Sequence, residues 1–429
     1  MTKKYIIMNK ITKYIAAIGV LSLMGCEKYD LIPAEYNSVL LIKENGSQEV
    51  TLYTDVNEKG TFEFTVMKAG KNPQAITSAE TEVMTEAQMT ALGYSTNKIL
   101  PAELYSLSTT QFQFGADNMY QKGSVVLNND AIKTFLSTAE NPAAYVVPIQ
   151  IKSATSKINT EKNYFLLRPI LLKPSVDYEV SEKEIAVNGG EATQEIFFTL
   201  PFASPWDFEC TVATSTGSNL LPAGQYTIEN GGKITFSKGS KRSSALRVTV
   251  KADLLGNYNL PLKISHISKE GVAKPTNDFM LRTVINKIHL TKEMLATNAQ
   301  EPSEGPIANM IDGNPATYFH TAWSVHPTDD AHNFSVTLAN PIRKFSFQYT
   351  NRNHANGKPK VIKILGSNDG TNFTEITTIS SGLPAGAATI YTSGVIEANT
   401  AYKILRFDVT QTYAGSKYFC LAELSIFGK

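Results

Sequence analysis

The sequence predicts an all-β protein assembled from β-sandwich domains. Three features carry that expectation. From Tyr36 onward the chain runs in short segments, VLLIKE, QEVTLYTDV, GTFEFTVMKA, YVVPIQIKSAT and KNYFLLRPI, whose apolar residues alternate with polar ones. Gly, Asn and Lys turns separate the segments. Only the stretches 85–93 and 130–140 have a helical pattern, and each is short enough to be a connection between strands. Half-buried strands of this kind pack as two sheets face to face.

At 429 residues the chain exceeds what one hydrophobic core supports, and about two to four domains are expected. Lys and Arg number 40 against 39 Asp and Glu, a formal net charge of +1, with no basic or acidic half. Sequence-independent nucleic-acid binding needs a phosphate-neutralising surface, and this balance offers none. Charged residues make up 18%, below the usual share of about a quarter. Thr, Ser, Asn and aromatics take their place, which suits β-rich domains outside the cytoplasm.

Lys3, Lys4, Lys10 and Lys13 precede the apolar run 14–25, and Cys26 follows. The run is short for a membrane span and reads as the core of a signal peptide covering 1–25. Leu23-Met24-Gly25-Cys26 resembles a bacterial lipobox. That resemblance implies a mature chain that begins at a lipidated Cys26 and is anchored by lipid rather than by a spanning helix. An uncleaved anchor helix is the alternative, and Met8 is an alternative start. Glu27 and Asp30 resemble the acidic export tag of surface lipoproteins in gut-type Gram-negative bacteria. The expected location is the outer membrane, at the cell surface. The other cysteines, Cys210 and Cys420, fall in different expected domains and read as free and buried rather than bridged.

The chain repeats itself once. Leu100-Pro101-Ala102 with Tyr105 returns as Leu221-Pro222-Ala223 with Tyr226; Tyr145-VVPIQIKSA returns as Tyr258-NLPLKISHI; Asn163-YFLLR returns as Asn277-DFMLR. The offsets agree within one loop length, so two sandwiches stand in tandem, at 26–171 and 172–287. Their shared pattern resembles the domain of unknown function seventeen thirty-five, a family found on lipoproteins of glycan-utilisation systems. The first copy, with its insert 75–94, fits better than the second. Both are expected to be immunoglobulin-like sandwiches. Trp206, Tyr226 and Phe236 read as core or turn packing, and Lys238 to Arg242 as a solvated hairpin tip. The repeats show no chemistry and read as spacers.

The last third, 288–429, carries the functional signal. Asp312-Gly313-Asn314-Pro315 is a turn, because Asp and Asn satisfy their own backbone while Gly and Pro fix it. Asp312, Asn314 and Thr317 also gather the oxygens that a hard cation such as calcium takes. A plain hairpin turn accounts for the same residues. The stretch ATNAQEPSEGPIANMIDGNPATYFHTAWS resembles the opening of a coagulation-factor five/eight type C, or discoidin-like, domain. Ala308, Asp312, Gly313, Asn314, Thr317, His320, Thr321 and Trp323 fall on that family's signature, with Phe319 where it usually has Trp. Tyr349, Arg352, Asn356, Gly357, Ser367 and Gly370 match its middle, and LAELSIFGK (421–429) matches its last strand. The resemblance implies a discoidin-like jelly roll over 288–429. It also implies a structural calcium held by Asp312, Asn314, Thr317, the carbonyl of Ala422, and Glu423.

Many bacterial members of that family are carbohydrate-binding modules. A pyranose offers an apolar C–H face and a rim of hydroxyls, which aromatic rings and planar Arg, amide or imidazole groups recognise. The family's sugar site, carried over by resemblance, implies His326, Arg352, Asn356 and Tyr413 as ligand-binding residues. Arg352 has a loop-bracing role as its alternative, and His320 and Trp323, inside the signature itself, read as scaffold. His326, His332, Asp329 and Asp330 fit no common zinc spacing. The function expected is therefore a lipid-anchored, non-catalytic surface protein that captures glycan through its C-terminal loops, with outer-membrane glycan-uptake proteins as partners. The alternative is a structural or adhesive lipoprotein that binds a protein. No Ser elbow, Cys/His pair or phosphate loop marks an enzyme.

Overall fold

The structure is a computed structural model that describes residues 33–429. Residues 1–25, expected as a signal peptide, and Cys26 lie outside the described residues. Among the described residues no helix is long and apolar enough to cross a membrane.

The chain forms two compact units that divide between Lys173 and Pro174. In the first unit the alternating segments form two facing sheets. One contains Val39–Ile42, Gly60–Ala69 and Tyr120–Leu127; the other contains Gly46–Tyr53, Tyr164–Leu172, Tyr145–Lys152 and Thr77–Val83. Successive side chains point to opposite faces of a strand, so Phe64 and Val66 from one sheet meet Phe112, Ile149 and Phe165 from the other in a closed core. Both expected helices are present. Glu86–Ala91 starts from a Thr85–Gln88 capping box, and Asn129–Thr138 is capped by the Asn128 side chain.

The second unit opens with a domain that repeats this topology. In the first domain Tyr164–Leu172 pairs antiparallel with Tyr145–Lys152 and parallel with Gly46–Tyr53. In the second, Phe279–Ile285 pairs antiparallel with Gly256–Ile267 and parallel with Glu182–Val187. Tyr105 and Tyr226 each open a short strand of the opposite sheet. Sequence segments that recur thus occupy equivalent strands with the same partners and senses. Phe236 is buried in the core, while Trp206 and Tyr226 pack against it.

The last domain has its own hydrophobic core. It shares the compact unit with its neighbour, because the junction at 287–288 is a strand contact rather than a loose linker. Ile288 N donates to Ile426 O at 2.8 Å, and Gly428 N donates to Asn286 O at 2.9 Å. Two long strands, Asn333–Asn351 and Ile396–Thr412, organise the sandwich. Register shifts after Thr337 bend the first of them. Its beginning therefore pairs with residues 404–408 and its end with Cys420–Gly428. Phe334 and Phe407, opposite each other on these two strands, stack at 4.7 Å in the core. Cys210 and Cys420 are free and buried.

Candidate functional site

Loops that leave the last sandwich enclose a cleft of about 240 Å³ lined by Glu304, His320, Trp323, Arg352, His354, Asn356, Tyr418 and Cys420. His320, Arg352 and Cys420 are placed by strand ends, and the other side chains come from loops. In Phe319–His320, which pairs with the start of Cys420–Gly428, alternation sends Phe319 into the core and His320 to the cleft. Asn333–Asn351 delivers Arg352 immediately after its last residue. Two glycines permit close approach. Gly305 (φ +60°) and Gly357 (φ +74°) sit where a Cβ would lie 2.7 Å from His320 N and from Cys420 Sγ, respectively.

The polar groups form one connected set. Tyr318 Oη donates to Glu304 Oε2 at 2.6 Å, and Trp323 Nε1 donates to Glu304 Oε1 at 2.9 Å. The Tyr318 bond, followed by the Trp323 bond and the charges of His320 and Arg352, holds the Glu304 carboxyl below its ordinary value. The Arg352 guanidinium lies 3.4 Å over the Tyr318 ring. His320 is buried, and its Nδ1 lies 2.6 Å from Thr321 O. A carbonyl only accepts, so Nδ1 carries a proton and donates it to Thr321 O. The Tyr418 ring is 5.3 Å from that of His320. Burial pushes the Cys420 thiol up to about 11 despite its contact with Arg352. Trp323 is 55% exposed, leaving an indole beside the polar set.

Next to the cleft residue Trp323 lies a carboxylate that sequence reasoning missed. Glu301 is 2% exposed. It accepts from Trp323 N at 2.9 Å, from Ser324 N at 3.0 Å and Oγ at 2.6 Å, and from Ser303 N at 3.3 Å and Oγ at 2.8 Å. Burial alone would raise its pKa, but these bonds outweigh burial and hold it well below the usual carboxylate range.

Two of the four expected sugar ligands, Arg352 and Asn356, line the cleft. The other two do not. His326 is exposed, and its Nε2 lies 2.8 Å from Asp329 Oδ1. Tyr413 is tied elsewhere: its N donates to Lys358 O at 3.0 Å and its Oη to Leu383 O at 2.6 Å. The histidines that reach the cleft are His320 and His354, the tyrosine is Tyr418, and Trp323, expected as scaffold, lines it as well. Strand alternation from the apolar Phe319 was the available signal for His320. No local signal marked Glu304 or set Tyr418 above Tyr413 in the same loop, because the cleft brings together loops far apart in sequence.

A second cluster lies at the Asp312 turn. Thr317 Oγ1 donates to Asp312 Oδ2 at 2.7 Å and to Asn314 O at 2.8 Å, and Asn314 N donates to Asp312 Oδ1 at 2.8 Å. The Glu423 carboxyl meets that of Asp312, while Glu423 Oε1 is buried without a partner. Burial first and the Asp312 charge second push the Glu423 carboxyl up to about 7. Thr350 pairs with Glu423 and Asn351 with Leu421, so Ala422 is the extra residue of a bulge. Two facing carboxylates, a hydroxyl, the Asn314 carbonyl and a bulged strand residue make an oxygen-rich set suited to a hard cation. Among the described residues no group of three or more His, Cys, Asp or Glu could hold a metal ion, so such a site would depend on the backbone and hydroxyl oxygens.

A family model described as “F5/8 type C domain” matches residues 295–424. These residues form an F5/8 type C domain. A second family model, described as a “-like, N-terminal domain”, matches twice, at 35–158 and 161–271. Those matches span more than half of the chain, which therefore belongs to that family and carries its domain in tandem. No curated protein matches the sequence. Among solved structures, the F5/8 type C domain is similar to CpGH89CBM32-5 from Clostridium perfringens, solved in complex with GalNAc-β-1,3-galactose. The two share 22% identity over 31% of this chain and 94% of that one, with a TM-score of 0.25. The family 32 module of C. perfringens NanJ, in complex with galactose, is 22% identical over 32% and 94%, with a TM-score of 0.25. A two-domain protein of unknown function from Bacteroides fragilis is 13% identical over 59% and 93%, with a TM-score of 0.24.

Proposed function

We propose that the F5/8 type C domain binds saccharide in the Glu304–Arg352 cleft and that the protein presents it without catalysis. The observation that carries this reading is the pairing of an exposed indole, Trp323, with a fixed set of planar and charged groups around about 240 Å³. The indole packs against a sugar's C–H face, while Glu304, His320, Arg352 and Asn356 bond its hydroxyls. Glycoside hydrolysis ordinarily uses two carboxylates across the scissile bond. The cleft lining has one, Glu304, and Tyr318 and Trp323 already engage it. A glycan array and calorimetry on the full protein test the reading. Wild type is expected to bind at least one saccharide, and Arg352→Ala is expected to lose it. No saccharide binding, or release of product from a labelled glycan, overturns it.

The Asp312 turn is proposed to hold calcium through Asp312, Asn314, Thr317, Ala422 and Glu423. The orphaned Glu423 Oε1 and the facing carboxylates are what support the ion, which would neutralise the pair and tie the turn to the last strand. Cys26, followed by acidic residues, is proposed as the lipidation site of an outer-membrane surface protein. The tandem sandwiches, with their likeness to the domain of unknown function seventeen thirty-five, are proposed as spacers beside glycan-uptake partners. Metabolic labelling with a radiolabelled fatty acid tests the anchor, with Cys26→Ala expected to abolish incorporation.

A further inference from the structure

Glu304 lines two depressions. On one side is the cleft; on the other a groove of about 700 Å³ runs between the turn Lys292–Met294 and residues 300–308. The groove wall is formed by Pro302, Pro306, Ile307 and Ala308, with Lys292 and Glu293 at its edge. The ridge between the two depressions is held by Gln300 and Glu301, which themselves line the groove. Glu301 accepts five hydrogen bonds, from Ser303, which lines the groove, from Trp323, which lines the cleft, and from Ser324. Gln300 fastens the ridge again, donating to Glu301 O at 3.0 Å and Gly305 O at 3.1 Å and accepting from Ile307 N at 3.0 Å. A ridge held in this way presents both depressions before any ligand arrives, so binding needs little ordering of the protein.

The two depressions differ in chemistry. The cleft is polar and, at about 240 Å³, smaller than the roughly 300–1,000 Å³ that encloses a drug-sized ligand; it suits a single pyranose. The groove beyond Glu304 is larger and largely apolar, the surface that a pyranose C–H face covers. We propose that the domain recognises an oligosaccharide end, with one sugar in the cleft and the next laid over the Glu304 ridge onto Pro302, Pro306 and Ala308. This rests on the saccharide reading of the cleft and extends it from a monosaccharide to a chain.

Calorimetry on the full protein compares galactose, N-acetylgalactosamine and N-acetylglucosamine with the β-linked di- and trisaccharides that end in each. For the sugar that binds, the disaccharide is expected to bind about tenfold tighter, the effect of covering a few apolar side chains; the trisaccharide adds little more. Pro302→Asp and Ala308→Glu place a charge on the groove without touching the cleft. Each is expected to remove the disaccharide increment and leave monosaccharide affinity unchanged. Equal affinity for mono- and disaccharide, or an increment that survives both variants, overturns the proposal while the cleft reading stands. Absence of binding for every saccharide overturns the cleft reading as well.

Discussion

Glu423→Gln separates a cation site from an ordinary turn. In the metal-free protein two carboxylates face each other at Asp312 and Glu423, and the Glu423 carboxyl is pushed up to about 7 by burial and by Asp312. Removing one charge relieves that repulsion, so the variant without calcium is expected to melt at or above wild type. With calcium the order reverses. A cation bound only by the folded state, at about a hundredfold excess over its dissociation constant, stabilises wild type by about 2.7 kcal/mol. The compact unit that contains the site runs from Pro174 to Lys429. For domains of about 150–250 residues 1 kcal/mol shifts the melting temperature by about 2–4 °C. Wild type should therefore rise by about 5–10 °C between EDTA and excess calcium, and Glu423→Gln by much less. Differential scanning calorimetry of the full protein in both conditions reads the crossing directly. A wild type indifferent to calcium and EDTA ends the metal proposal. A variant that responds as fully as wild type removes Glu423 from the ligand set.

Three further outcomes follow from the geometry. Trp323→Ala should lower saccharide affinity by about tenfold or more, because an exposed aromatic platform is lost. His326→Ala and Tyr413→Phe, outside the cleft, should leave it unchanged, and titration calorimetry on the three variants checks this. His332 is buried with both ring nitrogens unpartnered. Burial first, then the charges of Lys417 and His326, lowers its pKa from 6.5. The unfolded state then binds the extra proton, so His332's contribution is intact above pH 6.5 and is lost as pH falls through the lowered folded value. His332→Leu should flatten the melting temperature between pH 6.5 and the onset of carboxylate titration near about pH 4; a profile as steep as wild type's refutes the assignment. Gly357→Ala forces a Cβ against Cys420 Sγ at 2.7 Å on a left-handed backbone. It should cost about 1–3 kcal/mol by chemical denaturation, with saccharide affinity falling as Arg352 and Cys420 shift.

Local pattern carried much of this protein. Alternating apolar residues specified strands because a strand's side chains change face at every step. The recurring Tyr145 and Tyr258 segments specified a duplicated sandwich because equivalent sequence folds into equivalent strands. Asp312, Asn314 and Thr317 were legible together because a turn brings near neighbours together by itself. What the sequence could not settle was which distant loops meet. Glu304 and Tyr418 share a cleft only because the pairing of Phe319–His320 with Cys420–Gly428 fixes both loops at one rim. Tyr413, five residues earlier, is drawn aside by a bond to Leu383, and His326 remains out with Asp329. Spacing along the chain predicts neither outcome, because both depend on strand register and on which hydrogen-bond partners long-range packing supplies. Glu301 shows the same division: one acidic residue among many in the sequence, it becomes the fixed point of the ridge only when Ser303, Trp323 and Ser324 fold around it.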